Sequence, residues 1–538
     1  MKLVTVSQMQ AIEREADAYG LTYDQMMQNA GQGLADTLLE LFSGEEELQI
    51  IGLVGPGNNG GDTLVAMTAL VHEGWKARAY LVKRKKDELV KQFIETGGAV
   101  LTGEAAFEGL AEALESADVL LDGVLGTGIQ LPLKKEVAEV LAQVNDIMDG
   151  LRVTPLVVAV DCPSGVDCDS GEVAEETIPA DLTVTMAAVK QGLVKLPAFE
   201  YAGELQVVDI GLPPELKSLN DVQTEVADEE MVASLLPERP LDSHKGTYGT
   251  ALIVAGSVNY TGAAVLAGEA AYRAGAGLVT LAVPASLHSA LARQLPEATW
   301  ILLPHEMGVI AEGAYDPLAK KLERATAMLL GPGLGTEETT KLFVENLIAG
   351  KAPQKKSAAR IGFIHEGGKR SDEKNGTLPP LVIDADGLNL LAKIKDWHTA
   401  LPAQVTLTPH PGEMSTLTGL SKELIQEDRQ AIASQYAKAW GHVVVLKGAF
   451  TVIASPDGRM TVIPVASPAL ARAGTGDVLA GLIVGLRAQG VEAYEAAVAG
   501  AWIHAQAGLY ASDDLGTTAS VMASDVLNSI PDVISDLE

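Results

Sequence analysis

The sequence predicts an α/β protein built from two domains. Short, β-rich apolar runs alternate with helical patterns along most of the 538 residues, as they do in parallel sheets covered by helices. The 54 glycines suit the tight turns at strand ends. A polar, proline-bearing stretch interrupts the alternation and predicts a linker at 214–241. We therefore expect one domain at 1–213 and a second at 242–538, since the chain is too long for one core.

Each domain contains its own series of predicted strands. In the first, two helical patterns at Ser7–Ala18 and Tyr23–Phe42 precede strands at Gln49–Val54, Ala77–Val82, Val119–Leu121, Leu156–Val160, Leu182–Thr185 and Leu205–Ile210. In the second, strands are predicted at Thr250–Ala255, Leu278–Val283, Ala327–Leu330, Leu381–Ile383, Val405–Thr408 and Val443–Leu446, followed by a helical last third. The segment Lys351–Pro380 is basic and aperiodic, which predicts either a surface insertion or a basic arm that recruits an anionic ligand.

The composition argues against several kinds of partner. A net charge of −32 repels phosphate backbones and anionic lipid surfaces, so we expect neither nucleic acid nor a membrane as partner. The start of the chain lacks a signal-peptide core, and no apolar run is long enough to span a bilayer, which favours a cytoplasmic protein. The two cysteines, Cys162 and Cys168, predict no disulfide framework or structural zinc site, and we interpret them as small buried side chains.

Three strand-end motifs in the first domain predict a site at one edge of its sheet. LVGPGNNGGDTL (Leu53–Leu64) follows a strand and opens a helix, where exposed backbone N–H groups can bind phosphate. A purely structural turn would explain this motif alone equally well. LLDGVLGTGIQLPL (Leu120–Leu133) and VVAVDCPSGVD (Val157–Asp167) place Asp122 and Asp161 at two further strand ends. Ligands of open α/β sheets bind outside the carboxyl ends of the strands, so we expect these three motifs to meet there.

The second domain has comparable motifs. In ARAGTGDVLAGLIVGL (Ala471–Leu486), a Gly-Thr-Gly-Asp turn opens a long apolar helix. In this turn, Asp477 could accept a proton from an attacking hydroxyl, and the backbone N–H groups of the helix start could neutralise charge on a phosphoryl group. An aspartate that only caps the helix is a common alternative. Lys447 follows a strand, and His410 and Glu413 lie in a strand-end loop, where His410 is as readily structural as functional.

The first domain resembles the NAD(P)H-hydrate epimerase domain over about Met1–Pro213, through NNGGD, DGVLGTG, DCPSGVD, TVTMAAVKQGL and VVDIGLP in this order. The resemblance implies a Rossmann-like three-layer α/β/α fold, with Asp161 as the catalytic residue and with Asn59, Asp122 and Ser164 as ligands of a potassium ion. Thr63 stands where the family usually has glycine, and Cys162 where it usually has an aliphatic residue. The implied hydrate-binding residues are Asn58, Asn59, Gly60, Gly61, Asp62, Gly126, Thr127, Gly128, Ile129, Gln130, Leu131, Pro132 and Asp161.

The second domain resembles the NAD(P)H-hydrate dehydratase branch of the ribokinase-like superfamily. The matching motifs are SHKGTYG, YTGAAVLAGEAAYRAGAGLVT, GPGLG, DADGLN, PHPGE and GTGDVLAG. The resemblance implies a ribokinase-like α/β fold, Mg²⁺, catalysis by Asp477, and hydrate contacts from Ala263, Gly333, His410 and Asp477. The implied nucleotide-binding residues are Lys447, Gly448, Ala449, Phe450, Thr451 and Gly476. The basic segment at 351–380 departs from the compact pattern of the family.

Together the two resemblances imply repair of hydrated NADH and NADPH (NADHX and NADPHX). The first domain would interconvert the R and S hydrates at C6. The second would dehydrate the S hydrate with ADP or ATP as phosphoryl donor, releasing AMP or ADP and phosphate. Two alternatives stay open: a small-molecule kinase related to hydroxymethylpyrimidine kinases, which shares the GTGD turn, and a binding module derived from the epimerase fold. We also expect a homo-oligomer.

Overall fold

The computed structural model describes residues 1–101, 106–350 and 378–538, in two compact units, Met1–Val226 and Ala227–Glu538. The division falls inside the stretch predicted as a linker. That stretch contains regular structure, because Leu216, Val222 and Val232 are buried among its polar residues. Residues 351–377 of the predicted basic segment lie outside the described residues. No helix among the described residues is long and apolar enough to cross a membrane.

The N-terminal unit alternates helices with strands, as predicted. Its helices are α1 (Val6–Tyr19), α2 (Tyr23–Leu41), α3 (Asn58–His72), α4 (Glu88–Thr96), α5 (Ala106–Ser116), α6 (Lys135–Gly150), α7 (Phe199–Ala202) and α8 (Lys217–Asn220). Its strands are β1 (Leu3–Val4), β2 (Gln49–Val54), β3 (Lys76–Leu81), β4 (Ala99–Leu101), β5 (Val119–Gly123), β6 (Leu156–Val160), β7 (Leu182–Met186), β8 (Val189–Lys190), β9 (Glu204–Val208) and β10 (Thr224–Val226).

The central sheet of this unit is parallel, in the order β4-β3-β2-β5-β6-β7-β9. Successive residues of a strand point to opposite faces. Ile50 accordingly packs with α1–α4, and its neighbour Ile51 packs with α5 and α6. The predicted three-layer α/β/α fold is confirmed, and its parallel strands bring their carboxyl ends to one edge. β1 pairs with β8 beside this sheet, Val4 opposite Lys190, which fixes the start of the chain next to that edge.

α3 packs closely against the end of β5. Thr63 is fully buried and its Oγ1 donates a 2.6 Å hydrogen bond to the carbonyl of Asn59. A Cβ added to Gly123 would lie 1.8 Å from that same Oγ1. Only glycine therefore fits at position 123 while threonine occupies position 63.

The C-terminal unit contains a second α/β series. Its helices are α9 (Glu229–Leu235), α10 (Ala263–Arg273), α11 (His288–Leu291), α12 (Tyr315–Ala319), α13 (Glu338–Ala349), α14 (Asp386–Leu391), α15 (Trp397–Ala400), α16 (Pro411–Thr418), α17 (Lys422–Glu427), α18 (Arg429–Trp440), α19 (Thr475–Ala488), α20 (Ala493–Leu515) and α21 (Ala523–Leu537). Its strands are β11 (Thr250–Val254), β12 (Leu278–Pro284), β13 (Thr299–Leu303), β14 (His305–Glu306), β15 (Val309–Ile310), β16 (Ala327–Leu330), β17 (Leu381–Ile383), β18 (Thr406–Leu407), β19 (Val443–Leu446), β20 (Val452–Ala454) and β21 (Met460–Val462).

The main sheet of this unit is mixed. It runs β21-β20-β19-β18-β17-β16-β11-β12-β13, antiparallel at β19–β20–β21 and parallel elsewhere. Helices cover both faces, with α10, α19, α20 and α21 on one and α12, α13 and α14 on the other. α10 and α19 approach closely, since a Cβ on Gly481 would lie 2.4 Å from the carbonyl of Ala267. This contact places the start of α19 at the carboxyl edge of the parallel strands.

Candidate active sites

A cavity of about 270 Å³ lies at the carboxyl edge of the N-terminal sheet. It brings together three of the predicted motifs with α1 and α2. Its charged side chains are Glu13, Asp24, Asp62, Asp161 and Lys190. Its other lining residues are Met9, Gln10, Tyr23, Met26, Met27, Ala30, Asn58, Asn59, Thr127, Met186 and Ile210.

Asp161 follows β6 and is held by a buried lysine. The Lys190 side chain is 1% exposed, and its ammonium donates hydrogen bonds to Asp161 Oδ1, to Thr185 Oγ1 at 3.0 Å and to the Met186 carbonyl at 2.9 Å. Oδ1 also accepts from Thr185 Oγ1 (3.1 Å) and the Met186 amide (3.0 Å). Asp161 has a φ of +66°, a strained value for a residue other than glycine. The turn, the lysine and β7 together fix this carboxylate at the cavity wall.

Three more carboxyl groups, those of Glu13, Asp24 and Asp62, share the cavity with Asp161. Burial raises the pKa of Glu13, although the nearby ammonium of Lys190 acts against this. Burial also raises the pKa of Asp62 well above its usual range, and the charge of Asp161 adds to this effect. Four carboxyl groups and one ammonium in a single cavity make it suited to proton transfer.

The predicted potassium ligands lie together around Leu125. Asn59 Nδ2 donates to the carbonyls of Leu125 (3.0 Å) and Val160 (2.5 Å), and Ser164 Oγ accepts from the Leu125 amide at 2.9 Å. Ser164 donates to Asp122 through its hydroxyl (2.6 Å) and its amide (2.7 Å). Burial raises the pKa of Asp122, and the hydrogen bonds from Ser164 oppose this. Amide, carboxylate and hydroxyl oxygens that meet here from the start of α3, the end of β5 and the turn after β6 are ligands that fit a hard cation.

The two glycine-rich loops contribute unequally to the cavity. Asn58, Asn59 and Asp62 line it, whereas Gly60 and Gly61 lie buried behind them in the first turn of α3. Of the loop after β5, Thr127 reaches the cavity. The remaining predicted residues of that loop do not line it: Gly126, which packs against Asn59, and Gly128, Ile129, Gln130, Leu131 and Pro132, which are partly or fully exposed.

In the C-terminal unit, a lysine and several acidic side chains meet at the carboxyl edge of the sheet. Lys447, at the end of β19, donates to Asp384 at 2.5 Å and lies 3.8 Å from Glu413. Thr408 Oγ1 also donates to Asp384, at 2.7 Å. Burial alone would lower the pKa of Lys447, but the charges of Asp384 and Glu413 raise it above its ordinary value. Burial raises the pKa of Glu413 to about 7.

Asp477 lies in the first turn of α19, as predicted, beside this group. Burial raises its pKa to about 7, the charge of Asp384 adds to the effect, and Lys447 opposes it. This brings the pKa of Asp477 close to neutral pH, which suits proton transfer. The neighbouring turn is open, because a Cβ on Gly476 would come no nearer than 3.5 Å to Lys447 Nζ. Backbone N–H groups at this helix start are thus available to an anionic ligand.

The predicted hydrate-binding residues of this unit fall into two places. Ala263 begins α10, and a Cβ on Gly333 would lie 3.0 Å from the Ala263 methyl group, so these two residues adjoin. His410 caps α16 by accepting the amides of Gly412 (2.9 Å) and Glu413 (3.3 Å) through Nδ1. Burial lowers the pKa of His410, so its imidazole is neutral near pH 7. His410 thus has a structural function as a cap and still exposes its ring.

Arg429 packs against the predicted nucleotide-binding loop, Lys447–Thr451. Arg429 donates to the Leu446 carbonyl at 2.8 Å, and a Cβ on Gly448 would lie 2.9 Å from its guanidinium. Thr451 Oγ1 closes the turn by accepting the Gly448 amide (3.3 Å) and donating to the Gly448 carbonyl (2.9 Å). Phe450 has a φ of +52°, and Ala449 lies beside it. Burial lowers the pKa of Arg429 to about 10.

Several site residues were not assigned a role from the sequence. Lys190 lies in the motif TVTMAAVKQGL, where a lysine follows an apolar strand. That position is the sequence feature that could have identified it. Asp384 likewise ends a predicted strand. Glu13 and Arg429 lie in amphipathic or polar helices, where the pattern gives no sign that either reaches a site.

Comparisons with known proteins agree with this division. The family model described as NAD(P)H-hydrate dehydratase matches residues 251–356 and 366–532, and that of the YjeF-related protein N-terminus matches 23–192. The bifunctional NAD(P)H-hydrate repair enzyme Nnr of Moorella thermoacetica is 36% identical, covering 100% of this chain and 97% of that protein. Its counterpart in Thermofilum pendens is 35% identical with the same coverage.

One solved structure is similar to part of this chain. It is the ADP/ATP-dependent NAD(P)H-hydrate dehydratase from Bacillus subtilis, co-crystallized with ATP/Mg²⁺, which is 30% identical, covers 58% of this chain and 99% of that chain, and has a TM-score of 0.46. The two repair enzymes align with this chain over nearly their full length, and the two family models match successive parts of it. The chain belongs to the family of bifunctional NAD(P)H-hydrate repair enzymes.

Proposed function

We propose that Asp161 and Asp477 are the catalytic groups of the two activities that the family combines, epimerisation and ADP- or ATP-dependent dehydration of hydrated NADH and NADPH. The observation that carries this proposal is the same in both units. Each aspartate lies at the carboxyl edge of the parallel strands of its unit, near a lysine that forms an ion pair with an aspartate, in a site that holds several acidic groups. Proton transfer is the chemistry that both activities require.

The N-terminal unit acts on C6 of the hydrate. Its cavity of about 270 Å³ has room for one nicotinamide ring, with Asp161 and Lys190 on its wall. Asn58, Asp62 and Thr127 would contact the hydrate, and the N–H groups at the start of α3 suit its phosphates. Asn59, Asp122 and Ser164 would hold potassium, which would neutralise buried negative charge and order the turns around Leu125.

The C-terminal unit must turn a poor leaving group into a good one. Hydroxide leaves slowly near neutral pH, whereas phosphate leaves readily once the ring nitrogen donates its electron pair. Asp477 would accept the proton of the C6 hydroxyl as that oxygen attacks the terminal phosphoryl group of ADP or ATP. The loop Lys447–Thr451 and Gly476 would bind the nucleotide, while Ala263, Gly333 and His410 would position the hydrate.

The acidic group of this unit also fits a divalent cation. Among the described residues, no three His, Cys, Asp or Glu side chains are arranged to hold a metal ion. Mg²⁺ is commonly held by one or two carboxylates together with phosphates and water. Asp384 and Glu413 would supply those carboxylates, and the ion would neutralise charge on the phosphates.

The test uses a mixed NADH-hydrate preparation with Mg²⁺, K⁺ and ADP or ATP, followed by the absorbance of reduced nicotinamide. The wild-type protein should convert both epimers. Asp161→Asn should convert the S fraction rapidly and then slow to the uncatalysed rate of epimerisation. A single fast phase to completion would show that Asp161 only supports its turn, because asparagine makes the same turn.

Product analysis separates this proposal from a small-molecule kinase. A dehydratase releases free phosphate together with NADH, whereas a kinase leaves a stable phosphorylated product. We further propose a homo-oligomeric, cytoplasmic protein whose partners are these small molecules. Light scattering and cell fractionation would check those two points.

A further inference from the structure

The cavity of the N-terminal unit holds more carboxyl groups than a single base requires. Glu13, Asp62 and Asp161 all line it together with Lys190. The ammonium of Lys190 donates hydrogen bonds to the carboxylate of Asp161, the hydroxyl of Thr185 and the carbonyl of Met186. Within the described ranges, neither Glu13 nor Asp62 forms an ion pair. The cavity therefore contains carboxyl groups without a cation of their own.

Glu13 and Asp161 come from different walls of the cavity. Asp161 follows β6 at the sheet edge, and its Oδ1 accepts three hydrogen bonds, an arrangement that fits the acceptor-only carboxylate. Glu13 comes from α1 in the helical layer, is half-buried, and has no hydrogen bond from any described residue to favour its ionised form. Asp161, at the sheet edge, is thus placed to accept a proton, and Glu13, on α1, is placed to donate one.

We infer that Glu13 is a second catalytic residue of the epimerase site, acting as the acid on one face of the nicotinamide ring while Asp161 acts as the base on the other. This inference rests on the proposed epimerase function. It assigns the inversion at C6 to departure of water from one face and its return to the opposite face.

Glu13 donates its proton to the C6 hydroxyl oxygen, the C6–O bond breaks with its electron pair on oxygen, and water leaves. The lone pair of the ring nitrogen forms a double bond to C6. Water then adds to the opposite face of C6, the nitrogen regains its electron pair, and Asp161 takes the proton. The cycle closes when that proton returns from Asp161 to Glu13 through water at the cavity mouth.

The first experiment uses the full-length wild-type protein in H₂¹⁸O without nucleotide, starting from the pure R hydrate. The expected result is that each newly formed S hydrate carries ¹⁸O at C6. The competing route opens the ring at the C6–N bond, rotates the aldehyde and closes again, which retains the original oxygen. Enzymatic epimerisation without label would overturn the inference and leave the proposed function intact. Absence of enzymatic epimerisation would instead defeat the proposed function.

The second experiment compares Glu13→Gln with two other variants. We expect Glu13→Gln to lower kcat for epimerisation by about 10²–10⁴-fold, the usual range for a general acid, with little change in KM for the R hydrate. Glu13→Asp should recover part of that loss. The control is Glu40→Gln, the same change at an exposed position of α2, which should behave as wild type. Wild-type kcat in a folded Glu13→Gln variant would overturn the assignment, and loss of kcat in Asp62→Asn alone would transfer the acid role to Asp62.

Discussion

Replacing Lys190 with methionine tests how strongly the epimerase site depends on one buried ion pair. Lys190→Met keeps most of the side-chain volume but removes the ammonium that serves Asp161, Thr185 and the Met186 carbonyl. Lys190 is 1% exposed, so bulk solvent compensates poorly for the loss of these contacts. Removing one partner of a buried pair costs about 3–5 kcal/mol because the other charge stays buried and unpaired. For a unit of this size, the melting temperature should fall by about 6–20 °C.

Calorimetry of the whole chain would measure this change, with hydrogen exchange of β6 and β7 assigning the transition to the N-terminal unit. The variant should also lose epimerisation while still dehydrating the S hydrate. The matched control is Lys217→Met, which breaks an exposed pair with Asp221 and should leave the melting temperature unchanged. The double variant Asp161→Asn, Lys190→Met should lose less stability than the two single changes together, since it leaves no unpaired charge. An unchanged melting temperature in Lys190→Met, or strict additivity in the double variant, would refute this reasoning.

Three further predictions concern the C-terminal unit. Asp477→Asn should lower the rate of dehydration by about 10²–10⁴-fold with a normal melting curve, because Gly474 is the N-cap residue of α19 and no side chain caps this helix; wild-type turnover would remove Asp477 from the mechanism. Since burial raises the pKa of Asp477 to about 7 and the base must be ionised, kcat/KM for dehydration should fall as pH drops through 7, and a flat profile from pH 5 to 8 would contradict this role. A fragment of residues 227–538, cut where the two units divide, should dehydrate the S hydrate alone, and an insoluble or inert fragment would count against independent domains.

The strands and their terminal motifs were predictable because their signals are local. The predicted strands at Gln49–Val54, Leu156–Val160, Ala327–Leu330 and Val443–Leu446 have the same limits in the structure. A short apolar run bounded by glycine and aspartate identifies both a strand and the edge where its side chains meet. The sequence therefore placed Asp161 at the end of a strand and Asp477 in the turn that opens a helix, and the structure confirms those positions, while their catalytic roles stay predictions.

The partners of these residues were not predictable, since they depend on which distant elements pack at the same edge. Lys190 reaches Asp161 because β8 pairs with β1 and returns beside β7. Glu13 reaches the cavity through the position of α1, and the apolar spacing of that helix fixes only its buried face. The structure differs from the predicted linker for a local reason. Residues 217–235 form helices and a strand, but their buried apolar residues are too few to produce a recognisable pattern in the sequence.

The close contact between Thr63 and Gly123 has a consequence for how this family can diverge. A relative with glycine at the position of Thr63 has no hydroxyl to collide with a methyl group at the position of Gly123, whereas this chain has no such space. Position 123 is therefore constrained by the residue at position 63. We expect a lineage that gains a side chain at the position of Gly123 to lose the Thr63 hydroxyl first, because the added Cβ would lie 1.8 Å from that oxygen.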